Sequence, residues 1–66
     1  MNTTQQVQLL MNISRAWHDP VIALKEKWTF ERTVKTLREL IASDSPAVRR
    51  RATAMLDDIV KNTKSP

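Results

Sequence analysis

Ser43-Asp44-Ser45-Pro46-Ala47-Val48-Arg49-Arg50-Arg51 reads as a helix start followed at once by three consecutive arginines. Ser45 is a helix-capping residue type, and Pro46 suits the first helical position, where its missing N–H would have no partner in any case. The arginines fall where the helix dipole is positive, which is mildly unfavourable. The stretch therefore implies that a neighbouring element or a partner holds those charges. No acid stands three or four residues from Arg49, Arg50 or Arg51, so no ion pair along the helix quiets them.

The helix that follows is expected over 46–61, with Val48, Ala52, Met55, Leu56 and Ile59 on its inner face and Val60 at the edge. Lys61 falls in its last turn, where the dipole favours a cation. Val48 and Ala52 define the buried side, so Arg50 points outward while Arg49 and Arg51 flank the core. Two readings stand. The arginines, with Lys35 and Arg38 of the preceding helix, form an anion- or partner-binding fan that grips phosphates or an acidic protein patch. Alternatively, their stems lie over the core and their heads meet acids on the preceding helix.

Working back from Ser43, a helix is expected over 30–42, capped by Thr29. Phe30, Val34, Leu37 and Ile41 repeat along one face, and Glu31 with Lys35 forms an i, i+4 pair on the outer side. A shorter helix is expected over 20–27, started by Asp19 and Pro20, with Val21, Leu24 and Trp28 on one face. The apolar face turns by roughly half a rotation between Trp28 and Phe30, at about 100° per residue, which favours a break near Trp28-Thr29 over one continuous helix. The first helix is expected over 3–17. Thr3 with Gln6 offers a capping box, and Val7, Leu10, Met11, Ser14 and Trp17 share a face that Ile13 widens. Leu9 and Ala16 fall on the opposite side, either as ordinary exposed residues or as part of a second contact surface. The two Pro-started helices give each half of the chain the same helix–turn–helix plan.

Residues 30–62 resemble a single HEAT-repeat unit. Asp44, Pro46, Val48 and Arg49 match its Asp-x-Pro-x-Val-Arg turn, and Ala52 and Leu56 match the alanine and leucine of its second helix. The resemblance covers about half the chain. It implies a helical hairpin that uses its surfaces to bind macromolecules, and it implies no chemistry. A solenoid of such units needs about three.

Composition narrows the class. The chain has 66 residues and no glycine, so no turn can rely on that residue for positive φ, and tight type I′ hairpins are disfavoured. Helix formers are plentiful, and β-branched residues never alternate over a strand-length run. The expectation is an all-α fold: three to four short helices arranged as two helical hairpins, one domain over 1–62, and a polar tail over 63–66 that frays. A core this small rarely supplies more than about 3–5 kcal/mol. With no cysteine and one histidine, neither disulfides nor a Cys/His zinc site can add to it. Oligomerisation or docking on a partner is the remaining device. Trp17, Trp28 and Phe30 are expected to form the core, as aromatics do in small domains. Because a domain of this size does not easily bury two tryptophans, Trp17 or Trp28 is also an interface candidate, with Leu9.

Eleven Lys plus Arg against seven Asp plus Glu give a net charge of +4, which suits anionic partners. Met1–Gln6 lacks the basic region of a signal peptide, and Val21-Ile22-Ala23-Leu24, the longest apolar run, is far too short for a membrane span. A cytoplasmic protein is expected. There is no Cys/His pair and no glycine-rich phosphate loop. His18, near Asp19, is read as the end of the first helix, and Asp57-Asp58 diverge by about 100° and do not form a catalytic pair. A DNA-reading helix-turn-helix is a poor match, with Ser45 in place of the turn glycine and Pro46 and Arg51 where that motif wants apolar residues. The expected function is a small non-catalytic binding protein, a regulator or adaptor acting through protein–protein contact and self-associating as a homodimer. It needs no cofactor, metal, membrane or small-molecule substrate. The alternative is a nucleic-acid-binding protein that contacts phosphates through the basic patch on the last helix.

Overall fold

The computed structural model describes residues 2–64, with four helices among them. These are α1 (Thr3–His18), α2 (Pro20–Lys25), α3 (Phe30–Ile41) and α4 (Pro46–Lys64). The helices pair as two hairpins: α2 packs against α1, α3 packs most extensively on α4, and α1 crosses onto α4 and α3. The all-α arrangement is as expected. α4 remains helical through Lys64, so the first two residues assigned to the tail belong to the helix, and Ser65 and Pro66 lie outside the described residues.

Each start is built from a side-chain cap. At α1 the cap is one residue earlier than expected. Asn2, not Thr3, accepts from the Gln5 N–H at 2.8 Å, and the Gln5 side chain accepts from the Asn2 N–H at 3.1 Å. Asp19 caps α2 through the Val21 N–H (3.0 Å), and Thr29 caps α3 through the Arg32 N–H (3.1 Å). At α4 the Ser45 hydroxyl faces the Val48 N–H at 3.4 Å, and the Ser45 carbonyl accepts from the Arg49 N–H at 3.0 Å.

The break between α2 and α3 falls at Glu26–Thr29, near the place the sequence indicates. Its geometry is a Schellman motif. The Trp28 N–H donates to the Ala23 carbonyl at 2.8 Å and the Lys27 N–H to the Leu24 carbonyl at 3.3 Å. This motif needs a left-handed residue after the cap. In a chain without glycine, Lys27 takes that place with φ of 61°. Arg32 then clamps the turn: its Nη1 donates to the carbonyls of Glu26 (2.9 Å) and Lys27 (3.0 Å), and its guanidinium lies 4.1 Å from the centre of the Trp28 ring.

The core consists of Leu10 and Ile13 of α1, Leu37 and Leu40 of α3, and Val48, Ala52 and Ile59 of α4, with Leu9, Trp28, Ile41, Met55 and Leu56 packed at its edge. The inner face of α4 is the expected one. Those of α1 and α3 are as expected only in part: Leu10, Ile13 and Leu37 are buried and Ile41 packs at the core edge, but each buried stripe is rotated. In α1 the buried residues are Leu10, Ile13 and Ala16, a stripe turned by roughly 100° from the expected one; Val7, Met11 and Trp17 are exposed. Leu9 is half-buried, so it and Ala16 belong to the core side. In α3 the buried residues are Thr33, Leu37 and Leu40, while Phe30 is exposed and Val34 and Ile41 are half-buried. The physical reason is shared. A periodicity count treats Thr33 as polar and Ala16 as weak. Buried Thr33 satisfies its hydroxyl on the Thr29 carbonyl at 2.8 Å, and a small alanine lets a neighbouring helix approach closely. The expected Glu31–Lys35 pair is not formed; the ion pair found among the described residues is Lys61–Asp57 at 3.2 Å.

The α3–α4 turn is tied to the remainder of the fold by polar contacts. Buried Ser43 donates its hydroxyl to Gln6 Oε1 of α1 at 2.8 Å and accepts from the Ser45 N–H at 3.1 Å. Among the described residues no buried side-chain polar atom lacks a partner.

Candidate interaction surface

The arginine stretch that opens α4 does not act as one fan. Arg49 is engaged within the fold, donating Nη1 to the Ser43 carbonyl at 2.8 Å. The expected acids of α3 are not its partners. A guanidinium here satisfies a carbonyl left open at the end of α3 and brings positive charge to the negative end of that helix. Arg49 and Arg50 line a shallow trough with Ile41, Thr53 and Asp57. Arg51 lies on the other flank, where α4 faces α1. Lys35 and Arg38 lie on the outer face of α3 beside Glu31 and Glu39. The five basic residues thus fall on three separate surfaces, and two of the three also carry carboxylates. The third brings Arg51 together with Arg15, thirty-six positions earlier, a pairing only the tertiary fold makes.

The aromatic residues also divide. Trp28 is half-buried at the core edge under Arg32, and its Nε1 donates to Glu26 Oε1 at 3.2 Å, so it serves the α2–α3 turn. Leu9 is likewise a core-edge residue. Of the three interface candidates, Trp17 is the one left exposed, at 39%. It lines a cleft of about 180 Å³ with Ala23, Trp28, Phe30 and Thr33, and no charged side chain lines that cleft.

α2 carries two of the three apolar residues that the sequence places on one face, Val21 and Leu24, and the structure leaves both outside. Val21 is 71% exposed and Leu24 83%. Ile22 and Ala23, on the opposite side of the helix, are the residues turned inward, and each is only half-buried. Among the described helices α2 packs against α1 alone. Phe30, at the start of α3, is 51% exposed and joins the same end of the molecule through the cleft.

His18 ends α1 and is exposed. Asp57 pairs with Lys61, and the Asp58 carbonyl accepts from the Asn62 amide at 2.9 Å. Among the described residues no group of three or more His, Cys, Asp or Glu side chains is placed to hold a metal ion, and no helix is long and apolar enough to cross a membrane. Comparison with protein families, with curated proteins and with solved structures finds no match for this chain.

Proposed function

We propose that this is a small non-catalytic binding protein, a regulator or adaptor, that acts through protein–protein contact and self-associates through its α2 end. The observation that carries the reading is the outward pair Val21 and Leu24, 71% and 83% exposed on a helix held against α1 alone. Burying a side chain of this kind is worth about 1.5–3 kcal/mol, and a core this small has few other sources of stability. A twofold contact sets each residue of this surface against the same surface of a second copy. The uncharged cleft tolerates that, and the flanking charges, Asp19, Lys25, Glu26 and Lys27, are of both signs. The likeness of 30–62 to a macromolecule-binding helical hairpin supports the same class of function. Phosphate contact has less support, because Arg49 is used within the fold and Arg50, Lys35 and Arg38 share their surfaces with carboxylates.

The test is solution mass by light scattering over a concentration series, with and without mixed-sequence duplex DNA, at low and moderate salt. The expected result is a monomer–dimer equilibrium that DNA does not alter. A monomer that joins DNA at low salt and leaves it as salt rises would overturn the reading in favour of phosphate contact, whose affinity falls steeply with salt.

A further inference from the structure

A second surface, separate from the α2 end, lies between α1 and α4. Val7, Leu10 and Met11 of α1 and Met55 of α4 form the apolar part of a groove of about 430 Å³, and Ser14, Arg15 and Arg51 complete its lining. Leu10 is buried beneath it, whereas Val7 is 42% and Met11 54% exposed, so the apolar surface is open. No carboxylate lines the groove. Asp58, two turns beyond Arg51 on the same edge of α4, is not among the lining residues. Arg15 donates to Asn12 Oδ1 at 2.9 Å, a single neutral bond that leaves most of its donors for another group. Arg51 has no ion-pair partner among the described residues.

We infer that this groove binds an amphipathic helix of another protein, one whose apolar stripe is flanked by carboxylates. Three features point to that occupant. The groove lies between two helices and its lining follows α1 over two turns, from Val7 to Arg15, a form that accepts a helix with anchors spaced i, i+3, i+4 and i+7. Two methionines make it adaptable, because unbranched thioether side chains repack around different anchors. The charged groups present are guanidiniums, whose planar forks match carboxylates in two-pronged hydrogen bonds. A second copy of this chain fits poorly here, since a twofold contact would bring four guanidiniums together with no acid from the groove between them. Nucleic acid fits less well than a helix, since two arginines neutralise few phosphates and leave Val7 and Met11 uncovered.

The probe is a synthetic helix with leucines at i, i+3, i+4 and i+7 flanked by glutamates, read by fluorescence anisotropy and by amide chemical-shift mapping on the 66-residue chain. Saturable binding is expected, with shifts centred on Val7, Met11, Arg15, Arg51 and Met55. Arg15→Glu and Arg51→Glu should each weaken it by about tenfold, about what the loss of one charge-assisted contact costs. A peptide with lysines in place of the glutamates should bind the double variant and not the parent. Circular dichroism confirms that the variants fold, and their self-association should be unchanged, which separates this site from the α2 end. Equal binding of acidic and basic peptides, shifts centred elsewhere, no binding up to millimolar peptide, or occupancy of these residues by duplex DNA instead of the peptide would each overturn the inference.

Discussion

Leu24→Lys tests the α2 surface most directly. Leu24 is 83% exposed in the single chain, so replacing it removes almost nothing from the fold. Lysine forms helix about as well as leucine, and at the end of α2 its charge is favoured by the dipole. Surface changes of this kind fall within about 0.5 kcal/mol, or roughly 2–4 °C in Tm for a domain of this size. In a twofold dimer the same residue counts twice. Taking about 2 kcal/mol for each buried leucine, the pair contributes about 4 kcal/mol. At about 1.4 kcal/mol per tenfold, the dimer Kd should then rise by nearly three powers of ten. Burying the lysine charges adds to this. Sedimentation equilibrium gives the constant, and a thermal melt at a concentration below the dimer Kd gives the stability of the single chain. Leu24→Met, which preserves volume, should leave both nearly unchanged. A Kd for Leu24→Lys within threefold of the parent would refute the assignment of this surface. A fall in Tm of more than about 10 °C would show instead that the residue belongs to the core.

The remaining predictions concern how the fold is held. Leu37→Ala, at a site with 0% exposure, should cost about 2–5 kcal/mol, comparable with the whole stability of a core this size, and leave the chain largely unfolded by circular dichroism at room temperature. Asn2→Ala should cost about 1 kcal/mol by removing the capping box, and Thr3→Ala close to nothing; the reverse order in thermal melts would restore the cap to Thr3. Lys27→Gly should stabilise by up to about 1 kcal/mol, since glycine takes the left-handed conformation without the Cβ clash and loses part of that gain to chain entropy. Arg32→Lys should cost about 1–2 kcal/mol and shift tryptophan fluorescence, because an ammonium cannot hold the Glu26 and Lys27 carbonyls while lying flat on the Trp28 ring.

Helix identity was legible in the sequence because its causes are local. The absent glycines, the Asp19-Pro20 and Ser45-Pro46 starts and the turn of the apolar face near Trp28 all act within a few residues, and the helices lie where those signals place them. The inner face of α4 was legible too, since Val48, Ala52 and Ile59 leave one stripe to bury. Which stripe α1 and α3 bury was decided by tertiary structure. Both helices carry apolar residues over a wide arc, and the choice of Ile13 and Ala16 over Met11 and Trp17, or of Thr33 over Phe30, depends on which surfaces the other helices present. The candidate surfaces follow from that choice. Val21 and Leu24 lie outside because α2 turns Ile22 and Ala23 inward against α1, and Arg15 meets Arg51 because α1 crosses α4. A sequence states the period of its apolar residues. Which side of that period is buried is set by contacts among residues far apart in the chain.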